Sequence, residues 1–445
     1  MKLTLGAIRQ ALGAELVGDA DQVVTGVHFD SRQIKPGDLF VALHGEHDGH
    51  DYLDAAAQAG AVAVLVEPGH QLNSAQNALV VSDTLQALQD LGRYWLDQVG
   101  PKVVAITGSN GKTTTKDMTA AVLASQYRTF KTPNNFNNEI GVPMTLLAMP
   151  ADCQMLVVEL GMDRPGQLTV LSKLVQPDVA VITMIGEAHI EFFKTRAKIA
   201  QAKLEITAGL KPGGVLLVPG DEPLLDPEKI QVPTQTFGKG AADLSSQQRE
   251  TYFKYQGYTF AIPLLGRYNV MNALAAISVG QRLGVAMTQM VPALAHFDLT
   301  QNRTQWLTTP DGVVLLSDVY NANPTADREV LAVLGQQEAP RKFAVLGDML
   351  ELGDQALALH ADLASAVLQA DLDGVYLLGP LMAAALAPVL TERLGVGAVH
   401  AYPSNNQDQL VTDLKAVLRP EDLVLLKASH GIHLERVVTA LLAVD

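Results

Sequence analysis

The chain has 445 residues, of which 48% are apolar and 18% charged, enough to bury several cores and incompatible with intrinsic disorder. Thirty-two Lys and Arg against 47 Asp and Glu leave a net charge of −15, which excludes nonspecific nucleic-acid binding but not a local basic pocket for a phosphorylated ligand. A single cysteine, Cys153, excludes an intrachain disulfide framework and a cysteine-based zinc cluster.

The N-terminus, MKLTLGAIRQ, lacks the apolar core of a signal peptide. The longest uncharged stretch, Gly374–Thr391, contains Pro380 and Pro388 and reads as a buried strand followed by a helix, with no membrane span. A cytoplasmic protein without stable membrane anchoring is expected.

In chain order, Leu5, Ile8 and Leu12 share a helical face. Strands are predicted at Val27–Asp30, Leu39–Leu43 and Val62–Val66, with a helix near Leu53–Ala59, giving a small α/β module. Asn73–Asn77 reads as a loop and Leu85–Val99 as a helix. Lys102–Thr107 is a continuous apolar run of the kind that fills a buried parallel strand. A glycine loop and a helix from Lys112 follow. Further strands are predicted at Met155–Glu159, Val179–Met184 and Val215–Val218. Gly238–Glu250 is polar and exposed, Tyr252–Ile262 a hairpin about Gly257, and Asn269–Leu283 a helix. From Thr309 strands at Val313–Asp318, Phe343–Leu346, Val375–Leu378 and Leu423–Lys427 alternate with helices, the pattern of a doubly wound sheet. Thr308–Gly312 is the predicted hinge before this last unit.

Gly108, Ser109, Asn110, Gly111, Lys112, Thr113 and Thr114 lie between a buried strand and a helix, the context of a phosphate-binding loop. Glycines let backbone N–H groups converge on phosphate oxygens, Lys112 reaches the terminal phosphates and the Thr113 hydroxyl helps hold Mg²⁺. The usual pattern has a glycine five residues before Gly111; Ile106 stands there, so the loop is a shortened variant. Glu159 ends a strand where a carboxylate either holds Mg²⁺ or faces solvent. His189 follows another strand, and a lone histidine is more often structural than ligating. Lys203, in the helical stretch Lys198–Ala208, reads by itself as a surface lysine paired with Glu205 or another acid. The amides of Asn134-Asn135-Phe136-Asn137-Asn138 suit phosphate, sugar or metal-bound water, or form a long turn.

Taken together, TGSNGKTTT at 107–115, NNFNNEIG at 134–141, VELG at 158–161, GEAHIE at 186–191, AKLEI at 202–206, GRYNVMNALAA at 266–276, Arg303 and DVYNANP at 318–324 resemble the Mur ligases of peptidoglycan synthesis along the whole chain. Each motif is weak or moderate alone; their order and spacing are specific. The resemblance implies an α/β, three-domain Mur ligase architecture: a small N-terminal α/β uridine-nucleotide domain (1–83), a central P-loop ATPase-like domain (84–309) and a C-terminal Rossmann-like domain (310–445).

The pattern is most similar to the members that add D-Ala-D-Ala to UDP-N-acetylmuramoyl-tripeptide. Asp30-Ser31-Arg32 and Asp48-Gly49-His50 resemble a uridine module, while YNANP at 320–324 and GDMLELG at 347–353 followed by His360 resemble the dipeptide-adding form. The DNPR signature of the diamino-acid-adding members is absent. The resemblance implies ATP and Mg²⁺, with Thr113, Glu159, His189 and a carbamylated Lys203 as metal ligands. It assigns Asn269 and Asn272 to the adenine side, Asp318 to the ribose and Arg303 to the transferring phosphate, with Lys112, Lys203, His189 and Arg303 catalytic. Ser31, Arg32, Asn135, Asn138, Tyr320 and Asn323 are the implied substrate-binding residues. A monomer is expected. The alternatives are another amide ligase of the superfamily or a nucleotide-binding regulator without turnover. Lys427-Ala428-Ser429-His430 departs from the family's usual Lys-Gly-Ser-Arg: a histidine replaces the arginine and carries less positive charge at neutral pH.

Overall fold

The computed structural model describes residues 1–70, 77–247, 249–300 and 304–443. The chain divides into two compact units, residues 1–107, 123–181 and 205–216 in the first and 108–122, 182–204 and 217–445 in the second.

The first unit opens with a five-stranded sheet in the order Glu15–Val17, Asn77–Val80, Ala63–Val66, Asp38–Val41 and Gly26–His28. Its strands Ala63–Val66 and Asp38–Val41 are buried at every residue and pair in parallel, as a run of Leu, Val, Phe and Ala broken only by Asp38 favours. Ile34, Phe40, Leu53, Ala56, Val64 and Ala78 form one core on this sheet. Asp83 caps the helix Thr84–Val99 by accepting from Gln86 N, and Trp95 Nε1 donates to Met149 O at 3.0 Å. Lys102–Thr107 pairs in parallel with Met155–Glu159, which pairs in parallel with Thr129–Lys131. This register sets Glu159 opposite Ile106, two residues before the glycine loop.

The second unit contains the loop, the helix Lys112–Ala124 and the helix Arg267–Arg282. An antiparallel sheet joins Ala242–Gln247, Glu250–Tyr255 and Tyr258–Ile262. A second sheet follows the order Gln305–Thr308, Val314–Asp318, Leu423–Lys427, Lys342–Gly347, Gly374–Leu378, Val399–Tyr402. Its first pair is antiparallel and the others are parallel. Helices connect the parallel strands, and Leu315, Val345, Leu378, Leu410, Val424 and Leu426 fill one of its cores.

Three expectations change. Ala242–Gln247 is exposed as predicted but is a strand, held by pairing with Glu250–Tyr255. Asn77 begins a strand, while the rest of the predicted 73–77 loop lies outside the described residues. Thr308–Gly312 is no hinge. It is the turn of a hairpin whose strands both belong to the second unit's mixed sheet, closed by Thr309 N to Val313 O and Gly312 N to Thr309 O, each 2.9 Å.

Candidate active site

The glycines of the loop are required by space as well as by backbone. Gly108 has φ +154°, and a Cβ there would lie 1.8 Å from Thr183 Oγ1. Gly111 has φ +77°, and its Cβ would meet Asn272 Oδ1 at 2.4 Å. Ser109 N donates to Met184 O at 3.0 Å and Thr183 Oγ1 donates to Asn110 O at 2.5 Å, fixing the loop to the segment that leads to His189. Lys112 Nζ donates to Gly108 O at 3.0 Å, folding its side chain back across the loop at the helix N-terminus. That terminus carries partial positive charge and suits phosphate oxygens.

The buried amides beneath the loop form a chain. Thr115 Oγ1 donates to Asn272 Oδ1, Asn272 Nδ2 to Asn269 Oδ1 and Asn269 Nδ2 to Leu265 O, over 3.1, 3.1 and 2.8 Å. In this arrangement Asn269 and Asn272 brace Gly111 and the helix behind it.

Lys203 is no surface lysine. It is 2% exposed near the end of the helix Arg196–Leu204, and no carboxylate pairs with it among the described residues. Burial, and secondarily the charge of Lys112, hold its amine well below the ordinary lysine pKa. Glu205, its expected partner, instead accepts from Gly166 N at 2.9 Å and Thr169 N at 3.3 Å. His189 has φ +63°, and its buried Nδ1 lies 2.5 Å from Glu351 Oε2 but makes no aligned hydrogen bond.

Magnesium prefers oxygen ligands. Thr113 and Glu159 offer them, and the ring of His189 has a nitrogen to give. An ammonium at Lys203 would repel such an ion, whereas a buried neutral amine is the form of lysine that can react with CO₂.

In the first unit Glu159 is 1% exposed and accepts from Asn137 Nδ2 at 2.8 Å. Asn137 was not singled out by the sequence; it is the member of the amide cluster that orients the acid. Asn138 Oδ1 accepts from Gly141 N at 2.8 Å and Ile140 N at 3.3 Å, so it closes the turn into the helix Gly141–Ala148, while Asn135 is exposed. Arg32 points outward, its side chain 88% exposed, and pairs with Asp30 at 2.9 Å; this pairing pulls the Asp30 carboxyl well below its usual range. Ser31 is half-buried beside it. Asp48 Oδ1 accepts from His50 N and Nδ1, and His50 Nε2 accepts from Glu67 N at 3.1 Å. Both ring nitrogens of His50 thus have partners, and the cluster of His44, Asp48 and His50 offers ligand-type atoms within 4.8 Å of one another. A cavity of about 240 Å³ opens beside it, lined by Leu43, His44, Glu67, Asp83, Thr84, Leu85 and Ile140.

The second unit's mixed sheet brings another group together. Lys427 Nζ, 1% exposed, donates to Asp318 Oδ2 at 2.6 Å and Asn321 O at 2.8 Å, with Asp327 at 3.7 Å. The sequence pointed to the Lys427 segment only for its departure at His430; the structure makes this lysine the anchor of Asp318. Tyr320 packs edge-on against the exposed His430, ring centroids 5.6 Å apart. Asn323 is buried, caps the helix Pro324–Gly335 through Ala326 N, and exchanges two hydrogen bonds with Asn110 at 3.0 and 2.6 Å. Arg303 lies outside the described residues.

These features define an α/β protein with a phosphate-type glycine loop, and the chain belongs to the Mur ligase family. The Mur ligase family, catalytic domain model matches residues 23–94, the Mur ligase middle domain 106–280 and the glutamate ligase domain 302–430. Among its relatives, the UDP-N-acetylmuramoyl-tripeptide--D-alanyl-D-alanine ligase of Bacillus subtilis is 40% identical over 94% of this chain and 93% of its own. The Escherichia coli K12 enzyme of the same name is 32% identical over 99% and 98%. The crystal structure of MurF from Acinetobacter baumannii superposes with a TM-score of 0.88 at 31% identity, covering 99% of both chains. MurF of Thermotoga maritima in complex with ADP gives 0.80 at 30% identity, covering 94% of this chain and 97% of that one. Among the described residues no helix is long and apolar enough to cross a membrane.

Proposed function

We propose that this chain is an ATP-dependent, ADP-forming ligase that joins D-alanyl-D-alanine to UDP-N-acetylmuramoyl-tripeptide. The observation that carries the reading is similarity to a ligase of that name along 94% of the chain, with the glycine loop intact. The tripeptide carboxylate attacks the γ-phosphorus of ATP, ADP leaves, and an acyl phosphate forms. The dipeptide amine attacks the acyl carbon, and the tetrahedral intermediate collapses to amide and phosphate with loss of a proton. Lys112 and the helix N-terminus offset the charge on the phosphates, and catalysis is mainly positioning and charge stabilisation.

Magnesium, when bound, offsets further phosphate charge; Thr113, Glu159, His189 and the Lys203 carbamate are the residues that would hold it. The carbamate forms when the neutral Lys203 amine adds to CO₂ and loses a proton to solvent. Asn269, Asn272 and Asp318 are kept on the nucleotide side and Arg303 near the transferring phosphate. Ser31, Arg32, Asn135 and Asn138 are kept for the UDP-peptide, and Tyr320 and Asn323 near the reacting ends. Three domains, the first two meeting near residues 83–84 and the last beginning ahead of the strand Gln305–Thr308, a monomeric state and a cytoplasmic location complete the reading.

Phosphate release measured across a matrix of UDP-peptides and amine donors tests it. Turnover is expected only with the UDP-tripeptide and D-Ala-D-Ala together. Equal ATP hydrolysis without either substrate, or preference for a single amino acid, overturns it.

A further inference from the structure

The Gly347–Gly353 motif has no part in the chemistry above, yet it is held tightly. Asp348 Oδ1 accepts from Met382 N at 2.7 Å, Met349 N donates to His360 Nε2 at 2.9 Å and Leu350 N donates to Ser429 Oγ at 2.9 Å. His360 is fully buried, and its Nδ1 is 2.7 Å from Ala356 O; donation there leaves Nε2 free to accept. Beyond these anchors Glu351 takes φ +61°, a left-handed conformation uncommon for a residue with a side chain. Its carbonyl accepts from Glu191 N at 3.0 Å, and Gln355 Nε2 donates to Lys194 O at 3.3 Å. Gly353 allows this approach: a Cβ there would come within 3.0 to 3.2 Å of Glu191 side-chain and backbone atoms.

Two strained residues therefore meet, Glu351 at φ +61° and His189 at φ +63°, with Oε2 and Nδ1 2.5 Å apart. Backbone strain of this kind persists where the surroundings over-determine it and collects at functional sites. A histidine that ligates a metal through one ring nitrogen commonly presents the other to a carboxylate, which fixes its tautomer and orientation.

We propose that Glu351 is a positioning residue for His189: its carboxylate takes the Nδ1 side of the ring and leaves Nε2 as the ligating nitrogen, so that metal affinity depends on docking of the 349–355 segment. The inference rests on the reading of His189 as a metal ligand. It gives the GDMLELG motif a task distinct from substrate contact.

The test uses Mn²⁺ in place of Mg²⁺, with binding to the full chain in the presence of ADP followed by the loss of the free-ion paramagnetic resonance signal. Glu351→Ala is expected to raise the Mn²⁺ dissociation constant about tenfold or more. Glu351→Gln, which keeps an acceptor oxygen, is expected to recover part of that loss. Metal-free ADP binding should match wild type in both. Wild-type Mn²⁺ affinity in Glu351→Ala, with weakened affinity in His189→Ala, overturns the role of Glu351 and leaves His189 a ligand. Wild-type affinity in His189→Ala overturns both readings. Equal losses of Mn²⁺ and metal-free ADP affinity in the two Glu351 variants overturn the proposal in favour of general damage to the loop.

Discussion

Gly108→Ala tests whether the loop's shape, and not its composition alone, makes the nucleotide site. The added Cβ would lie 1.8 Å from Thr183 Oγ1, while 3.0 Å is the nearest approach real Cβ atoms show, so atoms must separate by about 3.0 − 1.8 = 1.2 Å. Rotating Thr183 relieves the overlap but removes its hydrogen bond to Asn110 O, leaving that carbonyl short of a partner at about 1–3 kcal/mol. The φ of +154° adds about 1–3 kcal/mol for a residue with a side chain. The combined range is about 2–6 kcal/mol against the binding-competent loop, an ADP affinity loss of at least about tenfold. Thr183→Ala alone loses one hydrogen bond, but in the double variant it removes the colliding oxygen. Titration calorimetry with ADP should therefore give a double-variant loss smaller than the sum of the single losses by about 1 kcal/mol or more. Wild-type affinity in Gly108→Ala, or additive losses within about 0.5 kcal/mol, would refute the steric reasoning.

Two further predictions concern buried charge. In CO₂-free buffer Lys203→Met should melt higher than wild type, because the methionine removes a desolvated amine, and it should abolish phosphate release; a lower melting temperature or retained turnover counts against the reading. Wild-type turnover should rise with added bicarbonate, with a carbamate carbon visible by ¹³C resonance under CO₂. Asp327 is raised from 3.8 to about 7, first by burial and against the pull of Lys427. The folded chain thus holds this proton where the unfolded chain has lost it, and the associated stability is full below pH 3.8 and lost as pH rises to about 7. Denaturation across that range should show wild type losing stability relative to Asp327→Asn as pH rises; parallel curves would remove the assignment.

What the sequence revealed depended on whether burial was uniform along an element. Lys102–Thr107, Met155–Glu159 and Leu423–Lys427 were legible to the residue because buried parallel strands read as unbroken apolar runs. Ala242–Gln247 carries no such signal: every residue is exposed, and only pairing with its neighbour makes it a strand. The hinge at Thr308–Gly312 failed because Thr-Pro-Asp-Gly reads equally as a linker or as a tight turn, and here it closes a hairpin between Gln305–Thr308 and Val314–Asp318. The phosphate loop was legible because Gly, Lys and Thr have fixed tasks at fixed offsets. Lys203 was not, because nothing local distinguishes a lysine folded inward from one facing water. The amide cluster offered several equivalent Asn residues, and only the structure distinguished Asn137 on the acid from Asn138 closing a turn.

The paired amides of Asn110 and Asn323 bear on how such chains can be recombined. Each side chain gives a hydrogen and takes one, so the pair works as a two-tooth key. Aspartate on either side alone would set one oxygen against another, and a shorter or branched residue would leave its counterpart buried and unmatched. A chimaera carrying the loop of one relative and the YNANP segment of another is therefore compatible only if both halves of the key come from matching parents. Library design should treat positions 110 and 323 as one inherited character, although 213 residues separate them.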